Sequence, residues 1–537
     1  MASRTWDASY RSRVEEILGL DRAALDRARA SRDARFDGRF FIAVTSTGIY
    51  CRPICPTPSA KKANVRYYAT AAAAAEAGFR PCLRCRPEAA PGTPAWMGTS
   101  TVVRRALRLI EDGALDDGSV EALAARVGIG ARQLHRLFVQ HVGASPITVA
   151  QTRRLHFAKR LLDETGLCIT EIAMAAGFGS LRRFNDAFRK TYDRAPRDLR
   201  RQRRDGLTAE ARDEVVLRFS YRPPYDWPAM SAFLAARAVP GVERVDELGY
   251  ARSIAVAGGH AFVRIRCVDG AHALELRARG AAPAALFQLS SAARRVFDLA
   301  CDPARVARAL KSDLILAPLV KRRPGLRIPG AWDTFECAVR AVLAQRVSLA
   351  TARQLAARLV ARAGSRFPGN ETITHLFPSP AALASARLDG LGLGTSQVAA
   401  LRRLSQMALE GALDGDAPAE RITAALASVP GFGTRAAQEF ALHALGDPDA
   451  FPAGDVVLRR MTSLNGTSLT PRELEARSEA WRPWRGYAVV HLWTAHSGRL
   501  GRVPSRRPSD SFIRRDRAAP AGRAPKAAHE RKWSALA

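Results

Sequence analysis

The sequence predicts a multidomain, mainly α-helical protein with α+β parts, and three observations carry that reading. Four cysteines in the first ninety residues, Cys51, Cys55, Cys82 and Cys85, form a C-x3-C and a C-x2-C separated by 26 residues, the spacing of a small zinc-bound α/β domain. Between residues 121 and 196 a pattern of helix, glycine turn and helix occurs twice, which reads as a double helix-turn-helix. Beyond Ala331 apolar residues recur at helical spacing almost throughout, broken sharply only at Pro430-Gly431-Phe432-Gly433. That is the pattern of a helical bundle built around a helix-hairpin-helix.

The parts follow in order. Residues 1–90 carry the cysteines on short strand-like and turn segments, and EAAPGTPAWMG after them reads as a linker. Residues 101–204 hold the helical repeat, and RQRRDG closes it. Residues 213–300 read as α+β, with a strand at Val215–Phe219, a helix through FLAARAV and an alternating strand in AFVRIRCV. Residues 301–500 form the helical bundle. The last segment, 502–537, is basic, proline-rich and aperiodic, and is expected to be a disordered tail.

Charge indicates the partner. In 537 residues, 83 Lys+Arg oppose 51 Asp+Glu, a formal charge of +32, which calls for a polyanion and above all nucleic acid. Half of the eight cysteines lie in the metal pattern, while Cys168, Cys267, Cys301 and Cys337 are scattered among apolar neighbours. That usage reads as a reducing compartment. The N-terminus lacks an apolar core of the export type and no run of about 18 apolar residues occurs, so a cytosolic protein without a membrane segment is expected.

The chemistry begins at the cysteines. A four-cysteine zinc site can simply hold a small domain together, yet zinc also keeps thiols deprotonated, and a thiolate is a nucleophile. The text TGIYCRPIC through NVRYYATAAAAAEAGFRPCLRC resembles the N-terminal domain of the Ada methylphosphotriester DNA methyltransferases over about 80 residues. The resemblance implies one Zn²⁺ on Cys51, Cys55, Cys82 and Cys85, with Cys51 as the methyl acceptor. Lys61, Lys62, Arg66, Arg80 and Arg84 are candidate phosphate contacts. The Pro-Cys-His-Arg motif of the base methyltransferase module that Ada proteins also carry is absent, so that activity is not expected.

The repeat aligns EALAARVGIGARQLHRLF from Glu121 with EIAMAAGFGSLRRFNDAF from Glu171, so that Leu134, Phe138 and Pro146 match Phe184, Phe188 and Pro196. It resembles the AraC-family DNA-binding domain, which implies that Arg132, His135 and Arg136 face one major groove and Arg182 and Asn185 the next. Asp186 stands where that face often carries a basic or neutral residue.

In the bundle, Leu-x-x-Val-Pro-Gly-Phe-Gly at 426–433 followed by Asp455 is a helix-hairpin-helix with a carboxylate after it. The hairpin offers backbone N–H groups to a DNA phosphate. Asp455 reads either as a plain helix N-cap or as a carboxylate that stabilises an oxocarbenium-like sugar. From Phe219 to about Gly498, through PPYDW, FLAARAV, RPGLRIPG, WDTFECAVRAVLAQ and RPWRGYAVVHLW, the chain resembles the AlkA family of 3-methyladenine DNA glycosylases II. That implies Asp455 as the catalytic carboxylate, Gly431 and Gly433 on the phosphate-binding hairpin and Trp493 as a wall of the base pocket. The chain departs from the family pattern after PGFG, where Arg435 and Glu439 replace aromatic residues, and at Arg346, in the place of an apolar wedge. Arg435 and Glu439, spaced i, i+4, are expected to pair.

Together these resemblances imply a fusion of the two families in a bacterial cytosol. It would take methyl groups from DNA phosphotriesters onto a zinc-bound cysteine, bind promoter DNA more tightly once methylated, and excise alkylated bases of the 3-methyladenine class. Its partners would be alkylated and promoter double-stranded DNA and RNA polymerase, and the chain would act as a monomer. The alternative is a methylation-sensing activator whose glycosylase-like half binds DNA without efficient catalysis.

Overall fold

The computed structural model describes residues 19–91, 101–201, 214–345, 347–368, 371–413, 419–463 and 467–500. The expected tail at 502–537, most of the linker and Arg346 lie outside the described residues.

The N-terminal part is a four-stranded sheet of order β3-β1-β2-β4, with β1 Phe41–Val44, β2 Ile49–Cys51, β3 Val65–Tyr68 and β4 Arg80–Pro81. Strand alternation splits its residues into two small cores. Phe40, Ile42 and Tyr67 pack with Leu25 of the helix Arg22–Ala30, while Phe41, Ala43, Tyr50 and Tyr68 pack with Ala73 and Ala74 of the helix Ala71–Glu76. β2 runs parallel to β4 with Tyr50 opposite Pro81. This register brings the ends of both strands, and hence Cys51 and Cys82, to the same edge.

Two helix-turn-helix units follow, Val120–Val127 with Ala131–His141 and Ile169–Ala175 with Leu181–Tyr192, joined by the long helix Pro146–Glu164. Gly128 and Gly177 turn the chain at φ +81° and +78°, a left-handed conformation suited to glycine. Leu134 and Phe138 of the first unit and Phe184 and Phe188 of the second are fully buried, which leaves the intervening positions free to face outward. Cys168 is exposed and caps a helix, unlike the apolar setting its sequence suggests.

A five-stranded antiparallel sheet comes next, order β5-β9-β8-β7-β6, with β5 Glu214–Ser220, β6 Glu243–Asp246, β7 Gly249–Val256, β8 Gly259–Cys267 and β9 Ala273–Arg279. Its inward residues, including Leu217, Phe219, Val263, Ile265, Leu274 and Leu276, share a core with Met230 and Leu234 of the helix Trp227–Arg237 and Leu286 and Leu289 of the helix Leu286–Val296. The helices beyond close two further cores. One lies around Phe335, Leu359, Leu404, Phe432 and Phe440, and the other around Leu316, Leu458, Trp481 and Leu492. Among the described residues no helix is long and apolar enough to cross a membrane.

Candidate functional site

The four cysteine sulfurs lie within 4.8 Å of one another. A tetrahedral zinc with bonds of about 2.3 Å needs sulfurs about 3.8 Å apart, so the donor set and its size both fit Zn²⁺. Arg52 braces the site. Its guanidinium pairs with the buried Asp37 and donates to the Cys85 carbonyl at 3.2 Å, while its backbone N–H points at Cys85 Sγ at 3.3 Å. The Cys55 sulfur is 3.0 Å from the Thr57 hydroxyl, and Cys82 receives the Cys85 backbone N–H. Among the described residues Cys51 is the one sulfur that meets no backbone N–H or hydroxyl, and its contacts are with the other three sulfurs. The neighbouring Tyr50 hydroxyl meets His156 Nε2 of the long helix at 2.9 Å. Of the candidate phosphate contacts, Arg80 is held by Asp193 at 2.6 Å.

On the helix Ala131–His141, Arg132, His135 and Arg136 are all exposed, and on Leu181–Tyr192 Arg182 is exposed and Asn185 half-buried. Both helices thus offer their polar faces outward while their Phe and Leu positions hold the core. Asp186 is exposed beside Arg182.

The hairpin Pro430–Gly433 joins the helices Ala419–Ala427 and Thr434–His443. Val429 and Phe432 anchor it in the core, whereas Gly431 and Gly433 are exposed. Gly431 has φ +75°, and a Cβ there would come within 2.7 Å of Gln345 Oε1. Gly433 caps the second helix with no side-chain hydrogen bond, which leaves the first-turn amides to an outside acceptor such as phosphate.

Asp455 opens the helix Val456–Met461 and is 6% exposed. It is a helix cap and more. Oδ1 accepts from the Leu458 N–H at 2.9 Å and from Trp493 Nε1 at 3.3 Å, while Oδ2 accepts from the Arg435 guanidinium at 3.1 Å. The expected Arg435–Glu439 pair is present at 3.4 Å, so one guanidinium bridges two carboxylates. Burial raises the Glu439 carboxyl, offset in part by Arg435. Behind Trp493, His443 stacks on the indole at 6.1 Å and Phe233 lies 5.4 Å beyond it, with Arg237 over the Phe233 ring at 3.8 Å. Burial pushes His443 down to about 4, so it is uncharged at neutral pH. Sequence reasoning missed Phe233, Arg237 and His443. The i, i+4 spacing of Phe233 and Arg237 in FLAAR was the available signal.

A thiolate metal centre, paired helix-turn-helix units and a helix-hairpin-helix carrying a buried carboxylate define a multidomain DNA-repair and regulatory protein. Family models match this division. The metal binding domain of Ada covers residues 24–88, a helix-turn-helix domain 123–202, the AlkA N-terminal domain 216–333 and the HhH-GPD superfamily base excision DNA repair protein 339–486. The chain is 40% identical over 485 residues, 87% of its length and 95% of the relative, to a probable bifunctional transcriptional activator/DNA repair enzyme AlkA of Mycobacterium tuberculosis. It is 38% identical to DNA-3-methyladenine glycosylase 2 of Escherichia coli over 51% of this chain and 95% of that protein. It is also 39% identical to the bifunctional transcriptional activator/DNA repair enzyme Ada of Escherichia coli, over 28% of this chain and 40% of that one. The chain belongs to the family of bifunctional transcriptional activator/DNA repair enzymes, an Ada-type half fused to an AlkA-type half, with DNA as its partner and a four-cysteine Zn²⁺ site.

Proposed function

We propose that this chain repairs alkylated DNA by two chemistries and reports one of them to transcription. Bound zinc would hold all four sulfurs as thiolates, giving the cluster a formal charge of −2. Cys51 Sγ attacks the methyl carbon of a methylphosphotriester. An S–C bond forms, the C–O bond breaks, and its electron pair stays on the phosphate oxygen, restoring the anionic diester. The hydrogen bonds at Cys55, Cys82 and Cys85, and their absence at Cys51, support this choice, because a hydrogen bond at a thiolate draws off its nucleophilic electron density. An ordinary phosphodiester is repelled by the cluster, whereas the neutral triester is not. With zinc bound, transfer would leave the cluster at −1, so that DNA phosphates would be repelled less and the helix-turn-helix units would hold promoter DNA more tightly. Activation then proceeds through RNA polymerase, with the protein acting as a monomer in the bacterial cytosol.

In the second half, a flipped alkylated nucleotide places its sugar against Asp455, which stabilises positive charge on C1′ as the glycosidic bond breaks. The 3-methyladenine class is the substrate group this reading assigns. The observation that carries it is the buried Asp455 carboxylate, which accepts from Trp493 and from Arg435 on the helix that follows the Pro430–Gly433 hairpin. Purified protein should release methylated bases from alkylated DNA, and Asp455→Asn should lower release at least 100-fold. Undiminished release by the variant would remove Asp455 from the mechanism.

A further inference from the structure

The geometry points to Arg435 as the selectivity residue of the base pocket, favouring damaged bases that are uncharged at neutral pH and keep a hydrogen-bond acceptor edge over cationic methylated purines. This rests on the reading of Asp455 as the glycosylase carboxylate and refines its substrate group, so that cationic methylated bases are still released but more slowly than neutral damaged ones.

Asp455 Oδ1 is already engaged by the Leu458 N–H and the Trp493 indole, and Arg435 occupies Oδ2. The carboxylate side chain is 8% exposed and the guanidinium 53%. A nucleotide approaching Asp455 from solvent therefore meets Arg435 first, and must draw it away before the sugar can use the carboxylate. Arg435 can leave Oδ2 without losing all compensation, because Glu439 holds its Nε at 3.4 Å.

What replaces Asp455 as its partner decides which base is accepted. A neutral purine with O6 and N7 free offers two acceptors at the spacing of the guanidinium fork. A base carrying a positive charge opposes the same fork. Arg237 adds a second cation within electrostatic reach of Glu439, stacked on Phe233 and without a salt bridge among the described residues. His443, uncharged, contributes none. Positions 435 and 439 themselves carry no aromatic ring to stack on a cationic base, and Trp493 already spends one face on His443.

The exchange helps the reaction as well as binding. When the C1′–N9 bond breaks, its electron pair leaves with the base. A cationic base needs no help with that charge, but a neutral one becomes an anion, which the Arg435 hydrogen bonds at O6 and N7 stabilise before solvent protonates it. Asp455, released from Arg435, faces the positive C1′. A water oxygen bonds there and its proton passes to solvent.

The full chain would be assayed in single turnover on duplexes containing one hypoxanthine and on dimethyl-sulfate-treated DNA containing 3-methyladenine and 7-methylguanine. Wild-type protein should release hypoxanthine, and Arg435→Trp should shift the hypoxanthine to 3-methyladenine rate ratio at least 10-fold toward the cationic base. Arg435→Lys, which keeps the charge but not the fork, should lose hypoxanthine release without gaining 3-methyladenine release. Asp455→Asn should lose both. An unchanged ratio in Arg435→Trp, or wild-type release confined to cationic bases, would overturn the role of Arg435 while leaving Asp455 in place. Release surviving in Asp455→Asn would overturn the glycosylase reading beneath it, and no release of any base would overturn both.

Discussion

Cys51 and Asp455 each do local work that any residue of their type could do, and both are set apart by what surrounds them. Cys51 ends strand β2 beside three sulfurs that each meet a backbone N–H or a hydroxyl. Its own sulfur is therefore the most electron-rich, and peptide mass spectrometry after reaction with methylphosphotriester DNA should place a single methyl on Cys51. A methyl on Cys85, whose sulfur faces the Arg52 N–H, would contradict this ordering. Asp455 is both an N-cap and the neighbour of Trp493, so the two readings its sequence allowed are compatible. Asparagine caps helices about as well as aspartate, and so Asp455→Asn should cost activity while keeping the helix cap, with the loss of stability confined to the Arg435 contact.

At the scale of elements, the hairpin is the part whose geometry is least tolerant. Replacing Gly431 by alanine would force a Cβ into a left-handed conformation and against Gln345. The backbone term alone is about 1–2 kcal/mol, and a displaced hairpin would no longer aim its amides at phosphate. Gly431→Ala should lower the urea midpoint and weaken binding to undamaged duplex DNA, both measured on the full chain. Elements with a strong local signature were legible in the sequence: the cysteine spacing, the doubled helix-turn-helix with its glycine turns, the strand at Val215–Phe219 and the hairpin at Pro430–Gly433. The Arg435–Glu439 pair was legible too, because i, i+4 neighbours follow from helical geometry alone. The Arg435–Asp455 contact was not, since it crosses a loop between two helices and follows no period. The same holds for Phe233 and His443, which come from helices some 200 residues apart and meet only through tertiary packing.

Across the whole chain, the Ada-type and AlkA-type parts are held together by buried polar contacts that no motif announces. Arg39 of the zinc domain lies 3.0 Å from Asp302, both side chains almost fully buried. The atoms are not aligned as a hydrogen bond, so the contact is chiefly Coulombic. Where the long helix Pro146–Glu164 meets β5, the Arg218 backbone N–H donates to Glu164 at 3.0 Å and Arg160 donates to the Arg218 carbonyl at 2.8 Å. Burial also pushes His156, His443 and His491 down to about 4. Their unfolded value is near 6.5, so between pH 6.5 and 4 the unfolded chain binds more protons. Stability from these groups is full above pH 6.5 and declines as pH falls toward 4, by up to about 1.4 kcal/mol per pKa unit for each. Urea midpoints at pH 7.5 and 5 should fall accordingly, and His491→Gln should flatten the decline.

The claim that one chain carries two separable repair chemistries is tested most directly in a single incubation with methylated DNA, followed by intact-protein mass and free-base analysis. Wild-type protein should gain the mass of one methylation, lost in Cys51→Ser, and should release methylated bases. Asp455→Asn should still gain the methyl and release no base. Base release that persists in Asp455→Asn, or a wild-type protein that takes up no methyl, would contradict the account.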